Sequence, residues 1–108
     1  MTGLPDTVNI LGKRYTIEYV DKPSDVDIFR RKSLWGQIDY WTRTIRIYAD
    51  NRSAEDVWET IIHEVIHGIA VELNIDRLKA DDAEDDVGIL SVALTDTLIR
   101  NNWMEIGE

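Results

Sequence analysis

The sequence contains no cysteine, only two prolines and no apolar stretch that approaches the roughly 20 residues needed to cross a bilayer. Without cysteine, the chain can form neither a disulfide framework nor a thiolate metal site. Its first residues also lack the basic and apolar segments of a signal peptide. We therefore expect a cytoplasmic protein with no membrane partner.

Basic residues are scarce, with 12 Lys and Arg against 21 Asp and Glu, which gives a formal net charge of −9. Nucleic-acid binding depends on clustered Lys and Arg, so this balance argues against a nucleic-acid partner. A hydrophobic fraction of 44% and a charged fraction of 31% are typical of a globular protein. The length fits a single domain spanning residues 1–108, and nothing in the composition indicates its oligomeric state.

Alternating hydrophobicity in the first half of the chain predicts two β-hairpins. The first joins residues 8–11 to residues 15–20, and the second joins residues 34–40 to residues 44–48. Helical periodicity begins only afterwards. The sequence therefore predicts an α+β fold, with a small antiparallel sheet of three to four strands followed by two main helices.

The first predicted helix begins at Ser53, which has the character of an N-cap, and should close at Asn74. Gly68 inside it indicates close packing against a neighbouring element. Its apolar positions recur at helical spacing and are Val57, Ile61, Ile62, Val65, Ile66, Ile69 and Leu73. A second helix is predicted from about Ala83 to Asn102. One face of that helix is expected to comprise Val87, Leu90, Ser91, Leu94 and Leu98.

The first helix contains the pattern H-E-x-x-H, formed by His63, Glu64 and His67. Residues four apart have Cβ atoms about 5–6 Å apart on one helix face, so both imidazoles can bind one ion at about 2.0–2.1 Å. Glu64 is rotated from them by about 100° and can act on a bound water without binding the metal. Since these are the only two histidines in the chain, the pattern predicts a Zn²⁺ site with His63 and His67 as ligands and Glu64 as the catalytic base.

A catalytic zinc site needs a third protein ligand, which in a chain without further His or Cys must be a carboxylate. Glu84 precedes Val87 by three residues and Ser91 by seven, so it should share their inward face and is the first candidate. Asp85 is the second candidate. The sequence also leaves open Asp81, Asp82, Asp86 and the absence of a third ligand.

Three segments carry a resemblance to a known family: residues 61–69, which read IIHEVIHGI, residues 84–87 and the hairpin residues 36–47. With these segments the chain resembles the compact gluzincin-like zinc metallopeptidases, in particular small phage and prophage proteins of the ImmA/IrrE type. The resemblance implies a minimal zincin-like fold. It also implies zinc ligation by two histidines and a downstream glutamate, here His63, His67 and Glu84.

The function expected from these residues is hydrolysis of a peptide bond in a protein or peptide substrate, through a metal-bound water with Glu64 as general base. The alternative is a non-catalytic, zinc-stabilised protein-binding module derived from a zincin. By analogy with related zincins, one strand of the second hairpin would bind an extended peptide along the sheet edge. The candidates for stabilising the oxyanion are Tyr40, Tyr48, Arg43 and Arg46, among which the sequence does not choose.

Overall fold

The structure, a computed structural model, describes residues 3–29, 33–79 and 84–104. Strands precede helices along the chain, which confirms the α+β class. The elements are β1 (Thr7–Ile10), β2 (Lys13–Val20), a short 3₁₀ helix (Pro23–Asp25), β3 (Gly36–Asp39), β4 (Thr44–Tyr48), α1 (Ala54–Glu72), α2 (Asp76–Lys79) and α3 (Glu84–Arg100). Among the described helices, none combines the length and the apolar character needed to cross a membrane.

The four strands form one sheet in the order β1-β2-β4-β3. The two predicted hairpins are both present and antiparallel, but β2 and β4 pair in parallel, with Ile17 opposite Ile45. The prediction of an antiparallel sheet is therefore wrong for this pair, and the sheet is mixed. Alternation within a strand specifies which face is buried, whereas the direction of pairing between hairpins depends on how the chain returns from β2 to β3.

β3 is an edge strand, and its pairing with β4 determines which backbone groups remain outside the ladder. The amide of Tyr48 donates to the carbonyl of Trp35 at 2.9 Å. Because antiparallel pairing alternates along the strand, Gln37 and Asp39 then face β4, and Gly36 and Ile38 present their backbone groups to the outer edge. This outer edge runs beside α1 and becomes important for the site.

The ends of α1 follow the local signals in the sequence. The Ser53 hydroxyl accepts a hydrogen bond from the backbone amide of Asp56 at 3.1 Å, which confirms the predicted N-cap. At the other end, Asn74 adopts a left-handed conformation with φ of 56°. The amide of Ile75 donates to the carbonyl of Ala70 at 2.8 Å, as in a Schellman motif, so the helix closes where predicted.

The main core lies between the sheet and one face of α1, where Val57 and Ile61 pack. The other buried members of this cluster are Ile10, Tyr15, Ile17, Ile45 and Ile47. Gly68 meets the same sheet so closely that a Cβ there would lie 2.7 Å from Cδ1 of Ile10, which confirms the expected close packing. Two of the apolar positions that recur at helical spacing, Ile69 and Leu73, are exposed near the end of the helix.

α3 packs against α1 through part of the predicted face, since Val87 and Ser91 are buried as expected. Its buried residues are Val87, Ser91 and Thr95, whereas Leu90 and Leu94 are 47% and 44% exposed. The predicted face therefore wrongly included Leu90 and Leu94. Small side chains at the contact let the two helices approach closely, because interaxial distance depends on side-chain size.

Candidate metal centre

The two histidines of α1 bring their ring nitrogens together. The Nε2 atoms of His63 and His67 are 3.2 Å apart, and the ring centroids are 4.9 Å apart at an interplanar angle of 60°. Their side chains are only 20% and 12% exposed. This arrangement follows from the spacing of one helical turn, which stacks the two side chains on one face.

Glu84, the first residue of α3, closes the group from the opposite side. Its Oε1 lies 2.6 Å from Nε2 of His67, and its Oε2 lies 3.1 Å from Nε2 of His63. The carboxylate is 58% exposed, so it reaches the imidazoles from the solvent side. Glu84 lies on the same helical face as the buried residues Val87 and Ser91. Because this face packs against α1, the side chain of Glu84 also points towards α1.

The three side chains could hold a metal ion, since their potential ligand atoms all lie within 4.8 Å of one another. Donors around a tetrahedral zinc ion are separated by about 3.3 Å, given bond lengths of about 2.0–2.1 Å. The observed separations of 3.2, 3.1 and 2.6 Å are of this size. Hydrogen bonds alone do not satisfy the three side chains. When both imidazoles donate an Nε2–H group to Glu84, the two Nε2–H groups also lie against each other, which is unfavourable.

Electrostatics favour the form of His63 that binds metal. Burial lowers the pKa of His63, and the neighbouring His67 lowers it further, although the carboxylate of Glu84 opposes both effects. The imidazole is therefore neutral over a wider pH range than an exposed histidine. A neutral imidazole with a free lone pair is the ligand that a divalent ion requires.

Of the other acids considered as third ligand, the two that the structure describes do not join this group. Asp85 and Asp86 are exposed on the first turn of α3, next to Glu84 in sequence but turned away from the stripe that faces α1. Asp81 and Asp82 lie outside the residues that the structure describes. Within the described residues, Glu84 is therefore the carboxylate that meets both histidines.

Glu64 belongs to α1, and its side chain lies between this helix and the edge strand β3. The residue is only 7% exposed. The strand approaches so closely that a Cβ on Gly36 would be 3.1 Å from Oε2 of Glu64. Burial raises the pKa of Glu64 to about 8, assisted by the Glu84 carboxylate and opposed by a hydrogen bond from the backbone of Ile38. A divalent cation beside this carboxylate would favour its ionised form.

A cleft of about 320 Å³ opens directly onto the centre. It is lined by His63, Glu64 and Glu84, so one side of the candidate metal centre faces open space. Its other lining residues are Leu34, Trp35, Gly36, Arg52, Glu59, Thr60, Gly88, Ser91 and Val92. The cleft thus runs between the start of β3 and α3, with α1 as its floor.

Three cleft residues escaped the sequence reasoning: Arg52, Glu59 and Thr60. The two on α1 carry a usable signal, because Glu59 and Thr60 precede His63 and Glu64 by one helical turn. Arg52 carries none, since it comes from a separate segment that meets the cleft only in the fold. Trp35 belongs to residues 34–40, one of the two strands that the sequence offered as a wall of the cleft. The Arg52 guanidinium lies 4.5 Å above the Trp35 ring.

None of the four residues considered for oxyanion stabilisation lines the cleft in the described structure. Tyr40 is electrostatically closest to the centre, since burial and the charge of Glu64 both raise its pKa. Arg46 instead pairs with Glu18 at 3.5 Å. Tyr48 lies beneath Arg52, whose guanidinium is 5.9 Å from its ring.

No protein-family model, curated protein or solved structure matches this chain. The geometry of the site therefore has to support any functional assignment by itself. What it provides is a group of two imidazoles and a carboxylate, a buried glutamate beside them and a cleft that reaches both.

Proposed function

We propose that this protein is a zinc-dependent peptidase, with His63, His67 and Glu84 as zinc ligands and Glu64 as general base. The observation that carries the proposal is the placement of Glu64. It is a buried carboxylate on the same cleft as the three donors but is not needed to complete their group. A structural metal site has no use for such a carboxylate, whereas hydrolysis requires a positioned base.

Relationship to the compact gluzincin-like peptidases of the ImmA/IrrE type is part of this proposal. It is supported by the sequence of residues 61–69 and by the position of Glu84 at the start of the helix that follows. The nitrogen and oxygen donors suit zinc among the common divalent ions, although imidazole also binds copper, iron and nickel.

A zinc ion held by these side chains would polarise the scissile carbonyl and lower the pKa of the attacking water. Glu64 accepts the proton of that water on a carboxylate oxygen and then delivers it to the nitrogen of the leaving amine. The carboxylate accepts a hydrogen bond from the backbone of Ile38, which restricts its rotation. Its burial excludes competing bulk water, so proton transfer is directed to the substrate.

The outer edge of β3 is suited to hold the substrate backbone. Gly36 lines the cleft, and its backbone groups face away from β4. An extended peptide could add to this edge as a further strand, with main-chain hydrogen bonds fixing the scissile bond above α1. The absence of a side chain at Gly36 lets the strand lie close against Thr60 and Glu64 of α1.

The deciding experiment compares the parent protein with Glu64→Gln. Zinc content is measured by elemental analysis, and cleavage is measured on a fluorogenic peptide library. We expect the variant to keep one zinc per chain and to lose about 10²–10⁴-fold in turnover, because it lacks only the base. Glu55→Gln, which alters an exposed carboxylate near the start of α1, is the control and should cleave like the parent.

Two results would contradict the proposal. If Glu64→Gln cleaves the library as fast as the parent, the assignment of Glu64 as the base is wrong. If the parent holds stoichiometric zinc and cleaves nothing in the library, the non-catalytic binding module becomes the better description.

A further inference from the structure

The cleft contains one carboxylate to which the described part of the chain offers no hydrogen bond or ion pair. Glu59 lies on α1 one turn before His63 and lines the cleft, half-buried. Its carboxylate makes no hydrogen bond or ion pair with the residues that the structure describes. Burial raises the pKa of Glu59, and the carboxylates of Asp56 and Glu55 add to the effect.

Among the described residues that line the cleft, Arg52 is the only one with a basic side chain that is always charged, and three of its five N–H donors bind groups of the fold. Its Nη1 donates to the carbonyl of Tyr48 at 2.7 Å, and its Nη2 donates to the carbonyl of Asp56 at 2.9 Å and to the hydroxyl of Thr60 at 2.7 Å. It therefore joins β4 to α1 as a structural link. Among the described residues at this end of the cleft, the charged group that no hydrogen bond or ion pair engages is the carboxylate of Glu59.

From this geometry we infer that the cleft selects peptides with a Lys or Arg side chain beside the scissile bond, and that Glu59 pairs with its cationic end. The inference rests on the proposed peptidase function. Glu59 lies about one helical turn, roughly 5.4 Å, from His63 along α1, a distance that a Lys or Arg side chain can cover. Trp35, which is 64% exposed at the same end, offers an aromatic surface to its stem.

The charge around Glu59 supports a cationic ligand over an anionic one. Three carboxylates, those of Glu55, Asp56 and Glu59, act here against the single guanidinium of Arg52. The whole chain carries a net charge of −9, which attracts cationic peptides over longer distances. An acidic substrate side chain would be repelled by this cluster of carboxylates.

Binding is measured in the zinc-loaded Glu64→Gln protein, so that turnover does not interfere. The probes are three acetylated and amidated peptide libraries that differ only in one fixed residue, which is Arg, Gln or Glu. We expect the Arg library to bind about five- to tenfold more tightly than the Gln library, as for a partly desolvated charge pair. Adding Glu59→Gln should remove this preference, and Glu59→Lys should shift it to the Glu library.

Asp96→Asn is the control, because it removes one negative charge from an exposed position of α3 outside the cleft. It should retain the preference for the Arg library. Equal binding of the Arg and Gln libraries, failure of all three libraries to bind, persistence of the preference in Glu59→Gln, or its loss in Asp96→Asn would each overturn the inference.

Cleavage of the same libraries by the protein with Glu64 intact separates this inference from the proposed function. Cleavage without preference for Arg refutes the role of Glu59 alone. Preferential binding of the Arg library without any cleavage refutes the peptidase proposal and retains Glu59 as the specificity residue of a binding cleft.

Discussion

Replacement of Gly36 by alanine tests the contact between the edge strand and the catalytic helix. The added Cβ would lie 2.7 Å from Cγ2 of Thr60, 3.1 Å from Oε2 of Glu64 and 3.2 Å from its Cγ. Ordinary van der Waals contacts begin near 3.4 Å. The strand and the helix must therefore separate locally, or the two side chains must move.

Thr60 has little freedom to move away. It is 8% exposed, its hydroxyl receives a hydrogen bond from Arg52 at 2.7 Å, and the same hydroxyl lies 3.2 Å from the carbonyl of Asp56. Rotating its methyl group out of the contact would break these hydrogen bonds. Overpacking of this kind costs about 1–3 kcal/mol, partly offset by about 0.4–1 kcal/mol from the loss of glycine flexibility in the unfolded chain.

Because Thr60 is held in place, we expect a net loss of about 1–2 kcal/mol for Gly36→Ala, which lowers Tm by about 5–15 °C at about 4–8 °C per kcal/mol. Thermal unfolding followed by circular dichroism measures this change. Adding Thr60→Ser deletes the clashing methyl and should restore most of the lost Tm. The contacts with Glu64 persist in the double variant, so its turnover should remain about tenfold below the parent while its zinc content is unchanged.

Gly88→Ala provides a stability control, because a Cβ at this helical position meets nothing within 4 Å. It should raise stability by up to about 1 kcal/mol through helix propensity. If Gly36→Ala melts within a degree of the parent, or if Thr60→Ser fails to rescue it, β3 does not approach α1 as described and the placement of Glu64 beneath it is wrong.

Three further predictions concern the ion and the buried carboxylate. Chelation should lower Tm by about 10–20 °C, corresponding to about 2.7 kcal/mol for an ion present at about 100 times its Kd, and an unchanged melting curve would mean that no ion links α1 to α3. Glu84→Ala should lose the ion in elemental analysis while Asp85→Ala keeps it; retention in both would exclude Glu84 as a ligand. In the chelated protein, the pKa of Glu64 is raised from 4.5 to about 8, so its contribution to stability is full below pH 4.5 and is lost as the pH rises towards 8. The Tm of chelated Glu64→Gln should therefore exceed that of the parent by a margin that grows over this range, and parallel curves would contradict it.

The motif helix could be predicted almost entirely from the sequence. Ser53 and Asn74 specify its two ends through side-chain capping and a left-handed turn, which depend on a few neighbouring residues. The meeting of His63 and His67 follows from one helical turn. The orientation of Glu84 was also predictable, because it shares the helical spacing of Val87 and Ser91.

The same periodicity misplaced the apolar face of α3. Leu90 and Leu94 fit a buried stripe as well as Ser91 does, yet the structure buries Ser91 and Thr95 and leaves both leucines exposed. A helical pattern specifies which residues share a face but not how far that face turns towards its partner. The rotation is decided by the close contact with α1, which small side chains permit.

The sequence by itself determined the helix that carries the two histidines, the glutamate between them and the hairpins that precede them, because these depend on repeats of 3.6 and 2 residues and on local caps. Only the tertiary structure decided that β2 pairs in parallel with β4, that Gly36 touches Glu64, and that Glu59 and Trp35 share one cleft. Those contacts join segments far apart in the chain. Their geometry follows from how buried faces pack against one another, which no local pattern records.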